Sequence, residues 1–241
     1  MHGGLTHPAD ASLGDPLCSA AAGKKNGLNL MILPCGNRRL TMGTVADFLF
    51  LGMFIDPGFG KIIILNGASS AGKSTLCEAL QKKLDEPFLN FSLDFFMFNY
   101  GVLPQRRETQ GPFSWPVMRA KLFNGYFNCL SGLAAAGNNL LVDYIIESKD
   151  QLQYLTLKLG CFDAFLVGVH CPLEELERRE LARGDRSPGD AKRDLETVHT
   201  FTSYDFEVDS CQSPDKNAGE IISAWSLRKP PAIINRLVKH S

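Results

Sequence analysis

"KIIILNGASSAGKSTLCEAL", residues Lys61–Leu80, is the stretch that decides the fold. A β-branched run, Ile62–Ile64, leads into a turn of Gly, Ala and Ser residues and then into Lys-Ser-Thr. Leu76, Leu80 and Leu84 follow at helical spacing and share one face of the predicted helix. The stretch therefore predicts a buried strand, a glycine turn and an amphipathic helix, in that order.

The turn matches the pattern G-x-x-x-x-G-K-[ST] at every position over Gly67–Ser74, called the P-loop below. Small residues let successive backbone N–H groups curl round an anion, and the helix beginning near Lys73 presents its positive dipole end. Lys73 is expected to reach the β- and γ-phosphates of ATP, and the Ser74 hydroxyl to coordinate Mg²⁺. Because the pattern follows a strand and opens a helix, we interpret it as a nucleoside triphosphate site and not as a chance small-residue turn. The predicted binding residues are Gly67, Ala68, Ser69, Ser70, Ala71, Gly72, Lys73, Ser74 and Thr75.

From Lys61 onward, predicted strands alternate with predicted helices. The later strands are "PFLNFSLD", which ends at Asp94, "NLLVDYII", "FDAFLVGVHC" and "DFEVDS". Helices are predicted from Lys73 to about Leu84, from Trp115 to before Gly137, over Gln151–Leu159, from Pro172, over Asp190–His199, and finally from Ser213, the last one burying Ile221, Ile222 and Trp225. Short buried strands that alternate with helices predict an α/β fold whose five-stranded parallel sheet is covered on both faces.

Composition and charge exclude several classes of protein. The 241 residues are 44% hydrophobic and 21% charged, with a formal net charge of −1, so no global basic field recruits nucleic acid or an anionic membrane. No stretch approaches the roughly 20 apolar residues of a membrane span. The seven cysteines contain no Cys-x-x-Cys pair, which indicates reduced thiols and a cytoplasmic protein.

The first 58 residues differ from the rest in composition and in their lack of a hydrophobic period. They are rich in Gly, Ala, Ser, Asp and Pro and show no sustained period, so we predict a disordered leader with a weak helix around "TVADFLFLGMF". The alternative is a mis-annotated start, with the true one at Met42 or Met53. Residues 59–241 are predicted to form the functional domain.

Two carboxylates are candidates for chemistry beside the P-loop. Asp94 ends the predicted second strand, and ligands of open α/β sheets bind beyond the carboxyl ends of strands. It is expected to accept a proton from an acceptor hydroxyl or to contact Mg²⁺ through water; the alternative is a strand-end Asp that caps a turn. Asp143 ends the apolar run Leu140–Val142, as in a Walker B strand whose carboxylate assists Mg²⁺.

Arginines and aromatic residues complete the candidate site. Arg183 and Arg186 lie in "LARGDR", a predicted lid loop that would close over ATP and stabilise charge on the transferring phosphoryl group; the alternative is a solvated basic loop. An aromatic segment after Asp94 is either a wall for a small-molecule acceptor or core packing. Its members are Phe95, Phe96, Met97, Phe98, Tyr100, Phe113 and Trp115.

With these residues in view, the chain resembles the chloramphenicol phosphotransferase family from about Lys61 to Trp225. The resemblance rests on "IILNGASSAGKS", on the distance from Lys73 to Asp94, on "VGVHCPLEELERRELARGDR", on "VHTFTSYDFEVDS" and on "AWSL". It implies a three-layer P-loop kinase fold with a short lid, ATP and Mg²⁺ as cofactors, and a hydroxylated acceptor such as chloramphenicol. It also implies Asp94 as general base, with Lys73, Arg183 and Arg186 neutralising phosphate charge.

The sequence departs from the family in two places, which concern the acceptor. Tyr144 follows Asp143 where a second acidic residue is expected, and the aromatic segment aligns poorly with the family's substrate region. Two alternatives therefore stay open. One is a kinase of another metabolite or a nucleotide, gripped by Arg106 or Arg107, and the other is a regulatory ATPase that transfers phosphoryl only to water.

Overall fold

The computed structural model describes residues 58–99, 102–183, 189–201 and 203–237. These residues form one parallel sheet in the order β2-β3-β1-β4-β5 and seven α-helices. The strands are β1 Ile62–Asn66, β2 Phe88–Asn90, β3 Asn139–Tyr144, β4 Ala164–His170 and β5 Phe206–Asp209. The helices are α1 Lys73–Lys83, α2 Trp115–Ala135, α3 Lys149–Leu159, α4 Leu173–Arg183, α5 Asp190–Thr197, α6 Pro214–Leu227 and α7 Ile233–Leu237. The predicted α/β class and its five parallel strands are confirmed.

The central strand β1 is buried along its whole length, which explains its unbroken β-branched run. Ile64 pairs in register with Val142 of β3 on one side and with Leu166 of β4 on the other. Alternate residues contact different helical layers: Ile62 packs in the core with α2, α3 and α7, whereas Ile63 packs in the core with α1 and α6. The turn after β1 therefore opens at the carboxyl edge of the sheet, between the ends of β3 and β4.

Local signals in the sequence set several helix ends. Ser213 caps α6, because its side chain accepts a hydrogen bond from the Lys216 amide. Ser148 does the same for α3 through the Gln151 amide. Proline stands in the first turn of α2, as predicted, and Gly137 follows that helix with a φ of +88°.

The predicted second strand is too long. Strand β2 ends at Asn90, although the Phe91 amide still donates to the Leu141 carbonyl at 2.8 Å. The chain then turns into a helical segment, because the Phe96 amide bonds the Ser92 carbonyl and Leu93 is buried in the core. Asp94 therefore lies in the first helical turn beyond β2 and not at a strand end. A π-helix, Phe95–Asn99, follows.

Smaller differences concern the ends of other elements. Asp143 lies inside β3, which continues to Tyr144, because that tyrosine still pairs with Asn66. Ile222 is only partly buried, and the helix from Ser213 is not the last one, since α7 follows it. Helix α5 ends at Thr197, two residues before its predicted end.

Some predictions fall on residues outside the described ranges. They are the leader up to residue 57 with its weak helix, Tyr100, and the lid loop with Arg186. Among the residues that the structure describes, no helix is long and apolar enough to cross a membrane.

Candidate active site

The P-loop follows the carboxyl end of β1 and makes a turn that requires small residues. A Cβ atom at Gly67 would lie 2.5 Å from the Val169 carbonyl oxygen, so only glycine fits without a shift of the loop. Gly72 has a φ of +87° directly before α1, and Ser70 also adopts a left-handed conformation, with a φ of 62°. Such conformations cost a non-glycine residue about 1–3 kcal/mol and cluster at functional sites.

Lys73, Ser74 and Asp143 form a compact group in which the lysine and the carboxylate are buried and the serine is exposed. Lys73 is 6% exposed, and its Nζ atom donates to the carbonyl oxygens of Gly67 at 3.0 Å and Ala68 at 2.9 Å. The same Nζ atom lies 3.6 Å from Asp143 Oδ1, and Ser74 Oγ donates to Asp143 Oδ2 at 2.6 Å. The structure thus brings together the predicted phosphate lysine and both predicted metal ligands.

The donors and acceptors of this group fit a nucleotide phosphate and a hard cation. Ser70 Oγ is buried and lacks a hydrogen-bond partner within the described ranges, and a phosphate oxygen would supply one. The amino end of α1 adds its positive dipole. A hydroxyl and a carboxylate, Ser74 Oγ and Asp143, are the oxygen donors that Mg²⁺ prefers.

Asp194 on α5 is a contact of the P-loop that the sequence analysis missed. Its Oδ2 atom accepts a hydrogen bond from the Ser69 amide at 3.1 Å. Burial raises the pKa of Asp194, while the Ser69 amide, Arg193 and Lys73 oppose that rise. Because 125 residues separate Ser69 from Asp194, no local pattern in the sequence indicates this contact.

Asn66 joins three elements at the root of the P-loop. Its Oδ1 atom accepts from the Ile146 amide at 2.9 Å, beyond the end of β3. Its Nδ2 group donates to the Val198 carbonyl at 3.0 Å, just after α5, and to Tyr204 Oη at 2.8 Å. Tyr204 Oη is also 2.7 Å from Nδ1 of His199. Burial and the nearby His170 lower the pKa of His199 to about 4.

Arg179 on α4 is a second missed contact of the P-loop. A Cβ atom at Gly72 would lie 3.3 Å from its Nη1 atom, so the guanidinium group packs against the turn. It is held there by Glu175 at 2.6 Å and by the Ser210 carbonyl at 2.9 Å. Arg183, one helical turn further on, is exposed at the end of α4. Arg183 was predicted in the lid loop, but it is the last residue of α4, and its role at the phosphates stays a prediction.

Asp94 is exposed beyond the carboxyl end of β2, next to the strand that carries Asp143. Burial raises the pKa of Tyr126, and the negative charges of Asp143 and Asp94 add to that rise. Both carboxylates therefore influence the hydroxyl of the same tyrosine. The same Tyr126 hydroxyl donates to the Phe91 carbonyl at 2.6 Å.

The aromatic segment divides between core and surface. Met97 is buried, Phe96 packs on Phe91 and Tyr126, and Trp115 packs on Phe123. Phe95, next to Asp94, is 50% exposed.

A P-loop at the centre of a parallel α/β sheet, closed around a buried lysine and a carboxylate, defines the class of protein: a P-loop enzyme of the kinase type. The profile of the family described as "Chloramphenicol phosphotransferase-like protein" matches residues 60–226, from just before β1 to the next-to-last residue of α6. The chain belongs to this family. It is an ATP-dependent phosphotransferase.

Individual relatives agree with this placement. A Mycobacterium tuberculosis protein named "Putative O-phosphotransferase Rv2636" is 31% identical over 202 residues, which cover 75% of this chain and 88% of the relative. A guanylate kinase of Clostridium perfringens is 23% identical over 70% of this chain and 85% of the kinase. The solved structure of the M. tuberculosis APS kinase CysC with AMPPNP and APS superposes with a TM-score of 0.52 at 20% identity, over 70% of this chain and 99% of that one. This likeness supports the kinase fold.

Proposed function

We propose that the protein transfers the γ-phosphoryl group of ATP to a hydroxyl group of a small molecule, with chloramphenicol or a similar hydroxylated antibiotic as acceptor. One observation carries the proposal: Lys73 lies inside a complete P-loop and beside the Ser74–Asp143 pair, in a chain of the chloramphenicol phosphotransferase-like family.

Each of the proposed site residues has a separate role in the transfer reaction. The acceptor oxygen attacks the γ-phosphorus, the bond from that phosphorus to the ADP oxygen breaks, and the hydroxyl proton passes to the Asp94 carboxylate. Lys73 neutralises charge on the phosphate oxygens. Arg183 and Arg186 are proposed to add positive charge from the lid. Ser74 and Asp143 would hold Mg²⁺, which neutralises phosphate charge when bound.

An exposed aromatic side chain beside Asp94 supports a neutral, partly apolar acceptor, since Phe95 is 50% exposed. Arg106, one of the two alternative grips for an acceptor phosphate, pairs with Glu108 at 2.5 Å and lies 4.4 Å over the Phe113 ring, while the other, Arg107, is exposed. The pairing of Arg106 within its own segment supports the antibiotic-like acceptor over a nucleotide held by this arginine.

The test is mass spectrometry of reactions with ATP, Mg²⁺ and a panel of acceptors. The panel contains chloramphenicol, other hydroxylated compounds and GMP. The expected result is the mass gain of one phosphate on chloramphenicol, with kcat reduced about 10²–10⁴-fold in Asp94→Asn and ATP binding retained. Phosphorylation of GMP and of no other acceptor would identify the protein as a nucleotide kinase instead. Turnover of Asp94→Asn equal to wild type would exclude Asp94 as the base.

A further inference from the structure

The contact between Asp194 and the P-loop has no part in the phosphoryl transfer described above. The Ser69 amide is one of the backbone donors of the P-loop, and it donates to a carboxylate oxygen of the protein itself. An N–H group has one hydrogen to donate. A phosphate oxygen at this amide would therefore take the place that the Asp194 carboxylate holds.

Helix α5 holds Asp194 at this place from both ends. At its start, Glu180 of α4 accepts from the Gly189 amide at 2.8 Å and from the Ala191 amide at 2.9 Å, and Glu180 is buried. Just after its end, the Val198 carbonyl accepts from Asn66, the residue that precedes the P-loop. The contact is thus built into the packing of α4, α5 and β1.

The charges around Asp194 bear on nucleotide binding. Arg193 lies 3.0 Å from Asp190 and 3.5 Å from Asp194, so its charge is divided between two carboxylates. Among the other charges that act on Asp194, Lys73 is opposite in sign and Glu147 is of the same sign. A carboxylate with an incompletely neutralised charge repels an anion that approaches the same amide.

We propose that Asp194 sets the nucleotide affinity of the P-loop: its carboxylate occupies the Ser69 amide in place of a phosphate oxygen and releases it when ATP or ADP binds. The inference rests on the proposed function, because it requires that nucleotide phosphates bind at the P-loop. Removal of the carboxylate then removes both the competition for the amide and the repulsion. Nucleotide affinity consequently rises in the variant that lacks this charge.

The experiment is calorimetric titration of wild type, Asp194→Asn, Asp194→Ala and Glu196→Gln with ADP and ATP, each with Mg²⁺. Glu196→Gln is the matched control, since it removes the same charge from an exposed position of the same helix and leaves the Asp190–Arg193 pair in place. Asp194→Ala removes both the charge and the competing acceptor and is expected to bind nucleotide about 10-fold or more tightly than wild type. Asp194→Asn keeps an acceptor oxygen for the Ser69 amide and is expected to show a smaller gain. The control is expected to stay within about 2-fold of wild type.

Each result decides between the two proposals. Equal or weaker nucleotide binding by both Asp194 variants overturns the inference, because Asp194 would then be neutral toward the bound nucleotide or serve it. An equal gain in Glu196→Gln also overturns it, since the effect would then come from the net charge of the helix and not from the contact with Ser69. If neither wild type nor either Asp194 variant binds nucleotide, the kinase proposal itself is overturned.

Discussion

The Ser74 hydroxyl donates a hydrogen bond to Asp143 Oδ2 at 2.6 Å, and so joins the P-loop to the end of β3 across 69 residues of sequence. The other oxygen of the same carboxylate lies 3.6 Å from Lys73 Nζ. One carboxylate therefore orients both the proposed metal-binding hydroxyl and the phosphate lysine.

Asp143→Asn is expected to raise the Mg²⁺ concentration needed for half-maximal turnover by about 10–100-fold. It also lowers the Tm, because the buried Lys73 ammonium loses its carboxylate partner. Ser74→Ala separates the two effects: it is expected to raise the Mg²⁺ requirement with a smaller loss of Tm. A Mg²⁺ dependence unchanged in both variants would exclude the assigned metal site.

Arg179→Met is expected to weaken ATP binding about 10–100-fold, because the guanidinium group against Gly72 is lost. Arg178→Met is the matched control: the neighbouring arginine bonds the same Glu175 but is 68% exposed. Calorimetry of ATP binding compares the two variants. Equal losses would show that Glu175 pairing, and not contact with the P-loop, determines the effect.

Gly67→Ala is expected to destabilise the protein by about 1–3 kcal/mol and to lower nucleotide affinity, since the added Cβ meets the Val169 carbonyl. Gly125→Ala is the control, and it is expected to have the opposite effect on the free energy of unfolding. That glycine is inside α2 with open space around its Cβ position, so alanine stabilises by about 0.5–1 kcal/mol. Urea unfolding measures both. A Gly67→Ala protein as stable as wild type would contradict the close approach of the P-loop to β4.

The pKa of His199 predicts how stability depends on pH. The folded state lowers it from 6.5 to about 4, through burial and the positive charges of His170 and Lys73, with Glu207 acting in the opposite direction. Between these pH values the unfolded chain binds more protons, so the contribution of His199 to stability is complete above pH 6.5 and is lost as pH falls toward about 4.

The size of this loss is on the order of 2 kcal/mol for a partly exposed group. Denaturant unfolding of wild type and His199→Gln at a series of pH values measures it. The variant is expected to have a flatter profile across this range. Parallel profiles for the two proteins would assign the pH dependence to other groups.

The sequence predicted the sheet and the P-loop because both depend on local patterns. The strand β1 is β-branched and buried on both faces, and the glycines of the turn follow it directly. The predicted end of β2 was wrong, because the chain turns into a helical segment that buries Leu93 in the core. Asp194 and Arg179 reach the P-loop only through the packing of α4 and α5, for which spacing in the sequence gives no signal.

The central claim is transfer of the ATP γ-phosphoryl group to a hydroxyl acceptor, and the stoichiometry of the reaction tests it most directly. Purified protein is mixed with Mg²⁺ and γ-labelled ATP, with and without chloramphenicol, and ADP, free phosphate and labelled acceptor are quantified over time. The account predicts ADP formation that depends on the acceptor, with one phosphorylated chloramphenicol formed for each ADP. Equal rates with and without acceptor, with all the label in free phosphate, would contradict it.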